Sequence, residues 1–108
     1  MNTDRNIEWL EPWYPVDDPE ERSALEGQLA LELSEGHILF GQKAILIGRC
    51  GGSDDALFLL SDGRVAEVHL VWQGRQRSPW PSTGIFPSIS VWVRESMIPR
   101  HREWASDD

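Results

Sequence analysis

Glu67 and His69 are the ionisable pair with the clearest chemical potential in this sequence. They stand two residues apart in an apolar run at residues 65–72, and side chains two apart in a β-strand lie on the same face. A carboxylate beside an imidazole serves both acid–base catalysis and ligand binding. The pair therefore has three interpretations: a histidine held by a structural hydrogen bond, the polar centre of a binding site, or an acid–base group in which His69 works with Glu67 or Asp55.

The other residues that could carry chemistry lack partners at a useful spacing. The chain has three histidines, each 32 residues from the next: His37, His69 and His101. None has a neighbour at metal-ligand spacing, so we predict no metal site and no cofactor. Cys50 is the one cysteine and, beside two glycines, is interpreted as an inert thiol. Asp54 and Asp55 are interpreted as turn residues, and we predict that the protein is not an enzyme.

The element that must position the Glu67/His69 pair is a β-hairpin. Two β-prone apolar runs, residues 56–60 and 65–72, flank the segment SDGR at residues 61–64. An Asp-Gly pair between such runs is typical of a two-residue type I′ turn, in which both central residues have positive φ. The turn then sets Leu60 opposite Val65 and Leu59 opposite Ala66.

This register predicts the composition of the two faces of the hairpin. Phe58 lies opposite Glu67 in it. The first face is apolar and meets the helices; it comprises Leu57, Leu59, Ala66, Val68, Leu70 and Trp72. The second face contains the ionisable pair; it comprises Ala56, Phe58, Leu60, Val65, Glu67, His69 and Val71. Phe58, Glu67 and His69 are therefore candidate binding residues, and either Trp80 or Phe86, from the long loop that follows the hairpin, is expected to cover them.

A helix is predicted before the hairpin. Asp18 is a suitable N-cap, Pro19 suits the first helical position, and Glu21 has the spacing of a capping-box acid. Leucines recur every four residues as a buried stripe: Leu25, Leu29 and Leu33. Gly36 is expected to end the helix in the left-handed conformation.

The remaining segments complete an α+β prediction for one domain at residues 1–108. Residues 1–16 form an extended arm, residues 44–47 a strand, residues 85–86 a short strand or an anchoring pair, and residues 100–108 a polar tail. Residues 88–98 fit either a strand or a helix, and Ser88 as N-cap with a stop at Pro99 favours the helix. The predicted fold is a three-stranded antiparallel meander sheet packed by an N-terminal and a C-terminal helix.

Charge and composition exclude several classes of function. The net charge is −8, and residues 1–35 hold ten acidic and two basic side chains. Nucleic acids and anionic membranes are therefore not expected partners, because such binding depends on Lys and Arg. The N-terminus lacks a signal-peptide pattern, and no apolar run approaches the roughly 18 residues of a membrane helix. We predict a cytoplasmic protein.

The central and C-terminal segments of the sequence resemble a family of small uncharacterised bacterial proteins. The shared pattern is DDxLFxLxDGRxAxVHLxW with a downstream WPxT, and it covers most of the chain. Its matching residues here are Asp54, Asp55, Leu57, Phe58, Asp62, Gly63, Arg64, Val68, His69, Leu70, Trp72, Trp80, Pro81 and Thr83. Val71 stands where the pattern has a small hydroxyl residue. The resemblance implies no activity.

The sequence favours a non-catalytic protein-binding module. Tryptophan is enriched at interfaces, and one or two of the six are expected to be partly exposed. Trp72 and Trp80 are included among the candidate binding residues. Acidic helix residues such as Glu20, Glu21 and Glu32 would meet a basic protein, as an immunity-type inhibitor does. The alternative is a small-molecule sensor that uses the Phe58/Glu67/His69 face. Homodimerisation through that face is a further alternative, because its apolar residues need a cover.

Overall fold

The computed structural model describes residues 7–106. It confirms an α+β fold with an antiparallel sheet, but the sheet has five strands in the order β1-β2-β3-β4-β5 instead of the predicted three. The strands are β1 (Trp13–Pro15), β2 (Ala44–Cys50), β3 (Asp55–Leu60), β4 (Val65–His69) and β5 (Thr83–Phe86). The two additional strands are the edges, and they have three and four residues. β5 contains residues 85–86, where a short strand is one of the two predicted alternatives. Such short strands show no readable alternation, and the proline in β1 is tolerated at an edge.

The predicted hairpin forms, but its register is wrong by one residue. Leu59 and not Leu60 lies opposite Val65. Leu60 N–H donates to the Arg64 carbonyl at 2.9 Å, and Gly63 N–H donates to the Leu60 carbonyl at 3.1 Å. The loop thus has three residues, and only Gly63, with φ 93°, has positive φ in it. This is a type I turn followed by a left-handed glycine, which Asp62 favours by accepting the Arg64 N–H at 3.1 Å.

The added loop residue exchanges the faces of β3 relative to β4. One face of the sheet packs against the N-terminal helix and includes Ala56, Phe58, Leu60, Ala66, Val68 and Leu70. The other face packs against the C-terminal helix and includes Leu57, Leu59 and Val65. Phe58 is fully buried on the first face, opposite Ala66. The prediction that Phe58 shares a face with Glu67 and His69 is therefore wrong.

The N-terminal helix α1 spans Pro19–Glu32. The predicted N-cap is confirmed, because Asp18 Oδ2 accepts the Glu21 N–H at 3.0 Å. The predicted helix end at Gly36 is wrong, since the backbone leaves the helix at Leu33, but the predicted left-handed conformation of Gly36 is confirmed, with φ 101°. A contact distant in sequence replaces the glycine cap: the Glu32 carbonyl accepts the N–H of Gln76 at 2.8 Å.

The C-terminal helix is longer than predicted. It begins with α2 (Ile89–Trp92), whose N-cap is Ser88 as expected, and continues through a π-helical turn (Val93–Met97) into α3 (Ile98–Ala105). In the π-turn the Ile98 N–H donates to the carbonyl of Val93, five residues earlier. This wider turn accommodates Pro99, whose ring clashes with a carbonyl in a regular helix. The predicted stop at Pro99 and the predicted polar tail from residue 100 are both wrong.

Both faces of the sheet are covered within one chain. The second core contains Trp13, Trp92 and Met97 from the arm and the C-terminal helix, and Trp13 and Trp92 meet edge to face at 5.0 Å. The uncovered apolar face on which the homodimer prediction rested is therefore absent from residues 7–106. Within the same residues, no helix has the length and apolar character that crossing a bilayer requires.

Candidate binding sites

Asp54 and Asp55 are neighbours in the chain, but each belongs to a different polar site. Asp54 accepts a hydrogen bond from Trp72 on one side of the sheet, and Asp55 accepts one from His69 on the other. Successive side chains of an extended segment point to opposite sides. Asp54 and Asp55, which the sequence suggests are turn residues, therefore contribute to one site each.

The first site is an exposed aromatic surface, here called the Trp72 surface, which comprises Tyr14, Glu21, Arg49, Asp54 and Trp72. Arg49 is its centre. The guanidinium carbon of Arg49 lies 5.8 Å from the centroid of the Trp72 ring, within cation–π range. Arg49 Nη1 also donates to Glu21 Oε2 at 3.2 Å, and Tyr14 is the cross-strand partner of Arg49.

The Trp72 ring is both exposed and held in place. The side chain of Trp72 is 43% exposed, and its Nε1–H donates to Asp54 Oδ1 at 3.0 Å. The backbone of Trp72 has φ 65°, a left-handed conformation that costs a bulky residue about 1–3 kcal/mol. Such strain persists only when surrounding contacts enforce it.

Glu32 supplies those contacts. Its side chain is completely buried, and its carboxylate accepts the Val71 N–H at 3.0 Å and the Trp72 N–H at 2.8 Å. Gln28 Nε2 donates to the same carboxylate at 2.7 Å. A buried carboxylate therefore fixes the backbone that presents the Trp72 ring to solvent.

The acidic residues predicted for docking thus have different roles. Glu20 is exposed at the start of α1, as a docking residue must be. Glu21 is shared with Arg49 in the Trp72 surface. Glu32 cannot meet a partner, because it is buried and fully engaged. Its prediction as a surface acid failed because α1 ends beside the loop at residues 71–76, which the sequence does not reveal.

The second site, the His69 pocket, is a depression of about 200 Å³ between β4, β5 and the C-terminal helix. Its lining residues are Asp55, Glu67, His69, Ser82, Gly84, Phe86, Glu95 and Ser96. His69 Nδ1 lies 2.8 Å from Asp55 Oδ1, and the His69 side chain is 57% exposed. The buried carboxylate orients the ring, and Nε2 makes no hydrogen bond within residues 7–106.

Asp55 is the anchor of this pocket. Besides His69, it accepts hydrogen bonds from Ser53 Oγ at 2.8 Å and from Arg100 Nη2 at 3.0 Å. Burial acts to raise the pKa of Asp55, but the hydrogen bonds from His69, Ser53 and Arg100 outweigh it and hold that pKa below its usual value. Asp55 is therefore ionised near neutral pH.

The side chains of Glu67 and Cys50 make structural contacts beside the pocket. Glu67 Oε1 accepts hydrogen bonds from Trp92 Nε1, at 2.8 Å, and from Ser96 Oγ. Arg100 Nη1 lies 3.0 Å from Cys50 Sγ. Burial raises the pKa of the Cys50 thiol despite the nearby Arg100, so the nucleophilic thiolate is disfavoured.

The structure separates the other predicted binding residues. Phe86 and not Phe58 contributes the aromatic wall of the His69 pocket. Trp80 is exposed but does not line that pocket. Sequence reasoning missed Arg49 and Arg100, since each joins residues far away in sequence and neither lies in a local motif.

Comparisons with known proteins assign no family: the chain matches no family model, no curated protein and no solved structure. Among residues 7–106, no group of three or more His, Cys, Asp or Glu side chains is arranged to hold a metal ion.

Proposed function

We propose that the protein is a non-catalytic binding module that docks a basic protein through the Trp72 surface. The observation that carries the proposal is the conformation of Trp72: a left-handed backbone, held by a buried carboxylate, presents an exposed indole. Backbone strain in native proteins concentrates at functional sites. The folded protein gains no stability from holding an exposed indole in a strained conformation, so a role in binding is the explanation that we favour for Trp72.

The composition of the Trp72 surface supports a protein partner. Tyr14 and Trp72 are 41% and 43% exposed, and Arg49 is the cross-strand partner of Tyr14 and contacts the Trp72 ring. Trp, Tyr and Arg are the residue types that most often dominate the binding energy of protein interfaces. The three side chains also lie on regular or restrained backbone, so little conformational entropy is lost when they bind.

The charge of the molecule supports a basic partner. The net charge is −8, and Asp17, Asp18 and Glu20 are exposed beside Glu21 at the start of α1. An acidic field accelerates the capture of a basic target and makes the association rate sensitive to salt. An inhibitor of a basic enzyme, as immunity proteins are, fits this chemistry.

The experiment is a pull-down from a lysate of the organism that encodes the protein, at low and high salt. The baits are the wild-type chain, Trp72→Ala and the control Trp104→Ala, which removes an indole of similar exposure, 45%, from α3. We expect a stoichiometric basic protein on the wild-type and Trp104→Ala baits at low salt only, and its loss from the Trp72→Ala bait.

Two results would contradict the proposal. Recovery of the same partner on all three baits would show that the Trp72 surface is not the interface. Recovery of the bait alone under every condition would argue against a protein-binding function.

The His69 pocket favours a second candidate function, the binding of a small molecule. The specific observation is that Asp55 orients an exposed imidazole in a depression with hydroxyl, carboxylate and aromatic walls. Thermal-shift screening of small polar compounds, repeated with His69→Gln, tests it. Compounds that stabilise the wild-type chain but not His69→Gln support this function, and a screen without such compounds contradicts it.

A further inference from the structure

A third cavity, here called the Arg22 pocket, lies between the N-terminal arm and the second face of the sheet. Its volume is about 320 Å³, at the lower end of the range of small-molecule sites. Four aliphatic side chains form much of its wall: Ile45, Ile47, Leu59 and Ile89. None of its lining residues belongs to the Trp72 surface or to the His69 pocket, so it is a separate site.

The arm side of the pocket depends on a close contact between Trp9 and Gly48. A Cβ atom at position 48 would lie 2.5 Å from the Trp9 ring, so only glycine allows this packing. The indole of Trp9 consequently lies against β2 and lines the pocket together with the aliphatic side chains. The cavity is thus bounded by rigid elements, the sheet and the start of the C-terminal helix, on two of its sides.

Arg22 supplies the basic group of the pocket. Arg22 lines the pocket, and its Nη2 donates to the Val16 carbonyl at 3.2 Å. Its Nε–H is buried and makes no hydrogen bond with any residue in the range 7–106. A guanidinium has five N–H donors, and the bond to Val16 is the one hydrogen bond that they make within the described residues. The guanidinium also makes no ion pair within the same residues, although it retains its charge.

We infer that the Arg22 pocket binds a small monocarboxylate with an apolar body. The aliphatic walls take the apolar part, and the Arg22 guanidinium takes the carboxylate through charge-assisted hydrogen bonds. Asp17 also lines the pocket and repels any negative charge that the Arg22 guanidinium does not pair directly. A ligand with two negative charges, such as a phosphate ester, is therefore disfavoured relative to a monocarboxylate.

The test is isothermal titration calorimetry with three probes that share one alkyl chain: octanoate, octanol and octylamine. We expect octanoate to bind at one site per chain. Its dissociation constant should be at least about tenfold lower than that of octylamine, because one charge-assisted hydrogen bond of modest strength changes a dissociation constant about tenfold. Octanol is expected between them, because it fills the apolar walls without the ionic contact.

Two variants locate the binding. Arg22→Gln should weaken octanoate about tenfold and leave octanol unchanged, since only the ionic contact is lost. Ile45→Phe should weaken both probes, because the larger ring occupies the cavity. The control Arg75→Gln removes an exposed arginine from the loop after β4 and should change neither affinity. Circular dichroism and thermal unfolding verify that each variant is folded.

Several outcomes would overturn the inference. They are an absence of octanoate binding at millimolar concentration, equal affinity for octanoate and octylamine, and an equal effect of Arg22→Gln and Arg75→Gln. Each is independent of the pull-down result, because the probes and the variants do not involve the Trp72 surface.

Discussion

The Trp72 surface and the His69 pocket contain neighbouring residues, Asp54 and Asp55. Each site also depends on a buried carboxylate, Glu32 for the Trp72 surface and Asp55 for the His69 pocket, but the two carboxylates act differently. Glu32 binds backbone N–H groups and thereby imposes a strained conformation on Trp72. Asp55 binds the side chains of His69 and Arg100 and orients them without strain in the backbone. A carboxylate that restrains backbone can present a bulky ring rigidly, whereas one that holds side chains leaves them partly accessible to water.

The largest expected effect tests the role of Glu32. Glu32→Ala removes a buried carboxylate and leaves two partly buried backbone N–H groups without their acceptor, and we expect the free energy of unfolding to fall by about 3 kcal/mol. Urea denaturation at pH 7 measures the change. The matched control is Glu35→Ala, an exposed acid near the same helix end, with an expected change within about 0.5 kcal/mol. Similar values for the two variants would refute a restraining role for Glu32.

A smaller loss is expected at Asp55. Asp55→Ala removes charge-assisted hydrogen bonds to His69 and Arg100, and we expect a decrease of about 2 kcal/mol in the free energy of unfolding. The decrease is smaller than for Glu32, because the side chains of His69 and Arg100 are 57% and 34% exposed and water can solvate them. The neighbouring variant Asp54→Ala, which loses one exposed contact, should change stability by no more than about 0.5 kcal/mol. Equal losses at both positions would remove the distinction between the two sites.

The contribution of Asp55 should also depend on pH. Its pKa in the folded protein lies below its usual value, so the folded state favours the ionised carboxylate and this stabilisation is present near neutral pH. It decreases as the pH falls below the unfolded value of about 3.9 and through the lower folded value. The difference in unfolding free energy between wild type and Asp55→Asn should therefore shrink between pH 7 and pH 3. A constant difference would contradict the assignment.

The smallest effect concerns the strain at Trp72. Trp72→Gly and Trp72→Ala remove the same indole, but glycine accepts positive φ without penalty, so we expect the glycine variant to be more stable by about 1 kcal/mol. At Trp104, inside α3, the order should reverse, because alanine is the better helix former by about 1 kcal/mol. Thermal unfolding of the four variants measures both differences. A more stable alanine variant at position 72 would show that its left-handed conformation is not enforced.

Local sequence signals identified several elements correctly. The N-caps Asp18 and Ser88 were predictable, since a capping side chain and the residues it serves are three apart. The hairpin at residues 61–64 was predictable, but its register was not, because an Asp-Gly pair suits both a two-residue and a three-residue loop. That single residue moved Phe58 to the opposite face from His69.

The candidate sites were less predictable than the elements that carry them. Glu67 and His69 were correctly placed on one face, since that depends only on the period of a strand. The anchors Asp55, Arg49 and Arg100 act over sequence separations of 14 to 45 residues. No local pattern encodes such contacts.

By itself, the sequence determined the fold class, the helix starts and the acidity of the chain, because propensity, capping and charge are properties of short segments. Only the tertiary structure decided which acids are surface groups and which are buried anchors. Glu21 and Glu32 lie eleven positions apart in one predicted acidic helix, but one pairs with Arg49 near the surface and the other restrains the Trp72 backbone from the interior. That difference arises because the loop at residues 71–76 packs over the end of α1, and burial is a property of the assembled elements.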